Sequence, residues 1–248
     1  MPAVMSLEQY KCSTVQRNEL IGVPMPEATK SYQPVPHSWL LDNVEDALND
    51  AGFGFGKDHH GLSHDGARYF GLIEVVGKDT HGDGYHTLLG LRNSLDKRFG
   101  AQIAIGNQVM VCANLCFGGE YMLGRKHTPN IMRDIPDLVR ELLSAIPTMN
   151  QQAHDRFDVY RETNLTISDA DHAIIEMYRQ GAINTARIEK VVHEWDNPSY
   201  DHGGDRSVWR LFNAATQALK GVNIHEMPQR TIRLQGVCDD LVGMKVAA

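Results

Sequence analysis

The chain has 248 residues, 42% of them hydrophobic and 22% charged, with a formal net charge of −7. At about 150 residues per domain that length suggests one or two domains, with a core that needs neither disulfides nor a structural metal. The composition excludes a disordered tail, a collagen-like fibre and a disulfide scaffold, and the acid excess argues against a surface that binds nucleic acid all over.

Residues 1–36 read as an extended N-terminal arm, because Pro24, Pro26, Pro34 and Pro36 break any helix. The first twelve residues lack a basic stretch followed by an apolar one, so no secretory signal is expected. No apolar run approaches the roughly 18 residues a membrane span needs. Four unevenly spaced cysteines, Cys12, Cys112, Cys116 and Cys238, look like reduced thiols. Together these features predict a cytoplasmic protein without membrane contact.

The first helix is expected over about 38–51, capped by Ser38, with Trp39, Leu40, Val44, Ala47 and Leu48 as its apolar stripe and Gly52 past its end. Residues 53–128 are glycine-rich, with short apolar runs that read as strands at 67–77, 85–94, 100–107 and 108–117. Asp83-Gly84 and Gly106-Asn107 are the plausible turns. From about 134 the period becomes helical, with candidates at 136–146, 148–162, 169–180, 185–196 and 205–220. Ser168 is placed as an N-cap with Asp171 three residues on, and Asn184 as the next. The order of elements predicts an α+β fold: an antiparallel sheet of four or five strands followed by a helical C-terminal half. The expected units are the arm (1–36), a helix-plus-sheet core (37–146), a packed helical region (147–221) and a C-terminal tail (222–248).

The charge is unevenly spread. Residues 1–91 carry 6 basic and 12 acidic side chains, residues 92–128 carry 5 and 2, and residues 129–248 carry 13 and 17. The basic excess thus sits within the sheet, at Arg92, Lys97, Arg98, Arg125 and Lys126. Such a strip is either a solvated edge that discourages aggregation or a phosphate-binding surface. Tyr69, Phe70, Phe99 and Tyr121 lie in or beside the same sheet. Cations that neutralise phosphates, beside rings that stack on unpaired bases, suit single-stranded nucleic acid.

Other chemistry is weaker. Asp58-His59-His60 and His64-Asp65, with His81 and His86 further on, invite a metal reading, but the spacing matches no zinc signature and the glycines suggest a mobile loop. Cys112 and Cys116 on one strand would lie about 13 Å apart, too far for one zinc. No P-loop, nucleophile elbow or strand-linked dinucleotide motif is present, so no cofactor and no enzyme activity are expected. Residues 169–196 could form a helix-turn-helix, but the acidic residues of the second helix favour a packed hairpin.

The stretch LLGLRNSLDKRFGAQIAIGNQVMVCANLCFGGEYMLGRKHT (88–128) resembles the phage/plasmid-like family of unknown function, in which an R-N-S-x-D-K block, a glycine turn, a V-C-x-N strand and an R-K-H-T end follow one another. TKSYQPVPH (29–37), LSHDGARYFG (62–71) and VWRLFNAATQALKG (208–221) are similar to it in matching order. The resemblance implies a bacteriophage protein working in the bacterial host cell. The closest functional class it implies is the single-stranded-DNA-binding cofactor of a phage RNA polymerase, in transcription or replication. On this reading Arg92, Lys97, Arg98, Arg125 and Lys126 contact phosphates, Tyr69 or Phe70 stacks on bases, and a homo-oligomer multiplies the contacts. A strand-annealing recombination protein and a metal-dependent enzyme using His59, His60 and His64 are the alternatives.

Overall fold

The computed structural model describes residues 12–77, 80–82, 85–109, 114–201, 206–222 and 226–244, with backbone only for 81, 82, 85, 107–109 and 114–121. Its centre is an antiparallel sheet of β1 (Ser13–Val15), β2 (Gly54–Ser63), β3 (Arg68–Val76), β5 (Tyr85–Ser94), β6 (Ala101–Val109) and β7 (Asn114–Arg125), side by side in that order. A two-residue strand, β4 (His81–Gly82), pairs with the start of β5. The α+β class stands as expected, but six strands lie along the sheet where four or five were predicted.

The two additional strands come from segments that read as irregular. β1 belongs to the supposed arm and pairs with His60–Leu62 of β2. The stretch around His59, His60 and His64 was expected to be a mobile loop because of its glycines; most of it is β2, although Gly54, Gly56, Lys57, Asp58 and Gly61 have poor strand propensity. Pairing along β3, with a register shift between Phe55 and Asp58, overrides that preference. Gly106-Asn107, read as a turn, lies inside β6, where the glycine marks a register shift opposite β7. Asp83-Gly84 and Cys112, together with the Cys116 and Tyr121 side chains, lie outside the described residues.

Helices cover both sheet faces. The helices α1 (His37–Asp50) and α2 (Ile131–Ser144) lie against one face, where Leu40, Leu41, Val44 and Val139 meet Tyr69, Ile73, Leu89 and Ile103 in one core cluster. The other face carries Phe70, Leu72, Leu88 and Ala104 against α3 (Ile146–Glu162), α4 (Ile167–Arg179), α5 (Thr185–Asp196), α6 (Val208–Ala218) and α7 (Met227–Leu241). β3 is therefore buried at all of Tyr69–Ile73, as a strand sandwiched between two layers should be. Each large apolar side chain taken out of water there contributes about 1.5–3 kcal/mol.

The helix starts follow local chemistry. α4 is capped by Thr166, whose hydroxyl accepts from the Asp169 amide while Asp169 accepts from the Thr166 amide. This is the S/T-x-x-D pattern expected at Ser168, shifted two residues toward the N-terminus. Pro36, rather than Ser38, occupies the cap position of α1.

The segment 222–248 is not a tail throughout, because α7 forms within it. Met227, Thr231, Leu234, Val237 and Cys238 are its buried stripe, and Pro228 sits in its first turn. Asp239 is buried there, accepting from the Tyr160 hydroxyl at 2.6 Å and from Arg156 Nε at 3.0 Å. Beside this pair, Phe157, Trp209 and Phe212 pack as an aromatic cluster, Phe157 tilted against both and Trp209 stacked on Phe212, with Phe157 and Trp209 centroids 4.9 Å apart.

Candidate nucleic-acid interface

The predicted cations do not lie on an open sheet face, since both faces are covered. Four of them gather at one end of the sheet instead. Lys97 and Arg98 lie in the turn between β5 and β6, and Arg125 and Lys126 end β7; all four are exposed. Ala101 pairs with Arg125, which brings the turn against the end of β7. Gly100 permits this approach, because a Cβ there would overlap the Arg125 carbonyl.

Arg92 departs from the group. It is half-buried on β5, with its guanidinium 5.0 Å above the Phe99 ring, and burial pushes its pKa down. It shares a narrow cleft with Phe70, Gln102, Met122 and Pro228 rather than facing open solvent.

The proposed base-stacking residues are corrected outright. Tyr69 is 0% and Phe70 3% exposed, so neither has a ring face for a base. They occupy opposite core layers as neighbours on a sandwiched strand.

The turn is held in place by Asp96. Its carboxylate accepts from the Ser94 hydroxyl at 2.6 Å, from Arg68 Nε at 2.8 Å and from the Arg98 amide at 3.2 Å. Burial works to raise the Asp96 pKa, but the hydrogen bonds from Ser94, Arg98 and Arg68 outweigh it, so the carboxyl lies below its usual range. The resulting backbone puts Lys97 at φ +63°, a left-handed conformation that costs a lysine about 1 kcal/mol. Lys97 Nζ then sits 4.4 Å from the Tyr32 ring centroid, a cation–π contact.

Under this turn lies a buried polar network that sequence reasoning did not single out as a site. Asn93 is 0% exposed and uses its whole amide. Its Nδ2 donates to the Val35 carbonyl at 2.7 Å and to His37 Nδ1 at 2.9 Å, while its Oδ1 accepts from His127 Nε2 at 2.8 Å. His37 Nε2 donates to the Gly66 carbonyl at 2.9 Å. The imidazole is thereby fixed as the neutral Nε2–H tautomer. Its ring stacks on Tyr69 at 5.3 Å. The Tyr69 hydroxyl reaches His60 Nδ1 at 3.1 Å by passing over Gly71, where a Cβ would overlap it. His60 Nε2 closes the chain by donating to Asp58 at 3.0 Å. Tyr32 ties the 29–37 segment to the turn through its hydroxyl, which donates to the Leu95 carbonyl at 2.9 Å. Three of the four sequence blocks singled out above, around 29–37, 62–71 and 88–128, thus meet at this end of the sheet. The fourth, around 208–221, is the buried helix α6.

The same geometry does not bring His59, His60 and His64 together on one point. Both ring nitrogens of His60 are engaged, and His64 Nε2 accepts from Arg68 Nη1 at 2.9 Å. Among the described residues no group of three or more histidines, cysteines or carboxylates converges on a cation position. His59 lies next to His60 on the strand, so its side chain leaves the opposite face.

Burial lowers the pKa of His37 to about 4, and also lowers those of His60 and His127. An unfolded histidine takes up its proton near pH 6.5, whereas folded His37 resists until about pH 4. Stability is therefore fully present above about pH 6.5 and declines as pH falls toward 4. His37 alone accounts for on the order of 3 kcal/mol across that window. Its proton would confront the Asn93 amide, donor against donor. Urea denaturation at pH 7.5, 6 and 4.5 should show midpoints falling in that order; a midpoint independent of pH would rule out buried neutral imidazoles.

Compared with known proteins, the chain matches no family description, no curated protein and no solved structure. No helix among the described residues is long and apolar enough to cross a membrane.

Proposed function

We propose that this chain is a bacteriophage nucleic-acid-binding protein that grips the phosphate backbone of single-stranded DNA with the end of its sheet. The observation that carries the reading is the exposed group Lys97, Arg98, Arg125 and Lys126, brought together from two separate strand ends in a chain of net charge −7. The Asp96 hydrogen bonds and the Asn93 network support it, because they hold the backbone that carries these cations; Lys97 also rests on the Tyr32 ring and Arg125 Nε lies 3.9 Å from Asp134. Base stacking by Tyr69 and Phe70 is dropped from the mechanism, which becomes one of charge. The resemblance to a phage/plasmid-like family points to phage origin rather than to an activity; a role beside a phage RNA polymerase, with single-stranded DNA as the partner, is proposed on that origin.

Four phosphate contacts on a single strand predict a log–log salt slope of about −3, or roughly a 50-fold loss of affinity between 50 and 200 mM salt. Fluorescence anisotropy with labelled single-stranded and duplex oligonucleotides measures both the slope and the preference. Absence of binding at 50 mM salt with micromolar protein would sink the proposal, and tighter binding to the duplex would replace the single-stranded partner. The variant Lys97→Gly separates binding from folding. Glycine accepts the left-handed backbone without strain, so stability should hold while the slope falls by about 0.7.

A further inference from the structure

The turn between α4 and α5 gathers arginines from two helices. Arg230 of α7 donates through Nη1 to the Ala182 carbonyl at 3.2 Å, and Arg233 donates through Nη1 to the Gly181 carbonyl at 3.3 Å. Both side chains therefore lie against the segment that leads into α5, and Arg187 stands in the first turn of that helix. Burial pushes the Arg187 pKa down, and the neighbouring Arg230 cation adds to that shift while Glu226 opposes it. Glu226 is already committed to Arg230, accepting from its Nε at 3.1 Å and its Nη2 at 2.9 Å. Arg187 is left over. Its Nε is shielded from solvent, and among the described residues its guanidinium has no hydrogen-bond or ion-pair partner. A buried donor without an acceptor is costly. The position adds to the cost, because the N-terminal end of a helix is itself partly positive, the first turn of α5 holds no acidic residue and the Asn184 side chain makes no cap bond.

We infer that Arg187 and Arg230, with Arg233 at the rim, form a binding site for a small phosphate-class anion. A guanidinium presents paired N–H donors that match phosphate oxygens, and an anion between two of them relieves their mutual repulsion. The same anion supplies the acceptor that Arg187 Nε lacks and meets the positive end of α5. A compact ligand is favoured over a nucleic-acid strand. Glu226 holds Arg230, Glu189 is exposed on the same helix as Arg187, and residues 129–248 carry 13 basic against 17 acidic side chains, so a long polyanion is repelled around the site. The site uses none of the sheet-end cations and is independent of what they bind.

Calorimetric titration of the full chain with inorganic phosphate, at an ionic strength held constant with chloride, tests it. Saturable binding is expected, weakened at least about tenfold by Arg187→Gln, as the loss of one charge-assisted contact implies. In phosphate-free buffer Arg187→Gln should unfold in urea at the same midpoint as the unmodified protein or a higher one, since it removes an unpaired cation and one side of a repulsion. No saturable binding up to about 10 mM phosphate overturns the inference, as does an affinity unchanged by Arg187→Gln. A variant less stable than the unmodified protein without phosphate also overturns it, because the guanidinium would then be a structural group. A single-stranded oligonucleotide whose affinity falls with Arg187→Gln as far as that of phosphate overturns the small-anion reading and makes these arginines part of a nucleic-acid surface.

Discussion

Replacing Asn93 by leucine should lower stability by about 3–5 kcal/mol while barely changing side-chain volume. The side chain makes three buried hydrogen bonds, to Val35, His37 and His127, and each abandoned partner costs about 1–3 kcal/mol. The effect reaches further than the count suggests, because these partners lie on three segments: the residues before α1, the first turn of α1 and the exit of β7. Losing the amide frees the 29–37 segment, and with it Tyr32, on which Lys97 rests. The substitution should thus weaken nucleic-acid binding even though Asn93 is fully buried. Urea denaturation gives the stability and anisotropy gives the binding; a loss under about 1 kcal/mol would mean the network is not what holds this end together.

The second large effect belongs to the other core. Arg156→Met removes the cation from Asp239, a carboxylate with 4% side-chain exposure, and leaves only neutral donors such as the Tyr160 hydroxyl. Removing one partner of a well-buried pair costs about 3–5 kcal/mol; because Arg156 keeps 30% of its side-chain surface in solvent, about 2–4 kcal/mol is expected. Adding Asp239→Leu should recover most of that loss, because it removes the stranded charge. Thermal or urea unfolding of the two variants checks this: a double variant less stable than Arg156→Met would show that the carboxylate is not the source of the cost.

The legible parts of the fold were those with strong periodicity. The helices at 37–50, 146–162, 167–179 and 185–196 were readable from apolar spacing and caps to within two residues or so at each end. The strands at 68–76 and 85–94 were readable from alternating or continuous apolar runs. β2 was not, because its residues are glycine and polar and its strand state comes entirely from pairing with β3. α7 was missed although Pro228 and the 227–231–234–238 stripe were there to be found, since Gly236 and paired aspartates at its end look like a fraying terminus.

At the candidate site, charge counting found Lys97, Arg98, Arg125 and Lys126, and sequence distance hid how they meet. The aromatic assignment failed at Tyr69 and Phe70 because a strand with helices on both faces buries every side chain, which composition does not reveal. Asn93, Asp96, Tyr32 and His37 did leave a signal, since each lies in a block already singled out. Their role as scaffold depends on hydrogen bonds between residues 28 to 63 positions apart, and no local pattern encodes those.

Helix α3 links the two cores. Its first turns place Ile146 and Met149 in the cluster formed with α1 and α2, and its later turns place Ala153 and Phe157 in the cluster formed with the C-terminal helices. The expected boundary at 146/147 falls in the opening turn of this one rigid rod. Melting either half would pull the rod out of the other, so the described body is expected to unfold in one cooperative step. A strain introduced near the C-terminal helices is then felt mechanically at the far layer of the sheet.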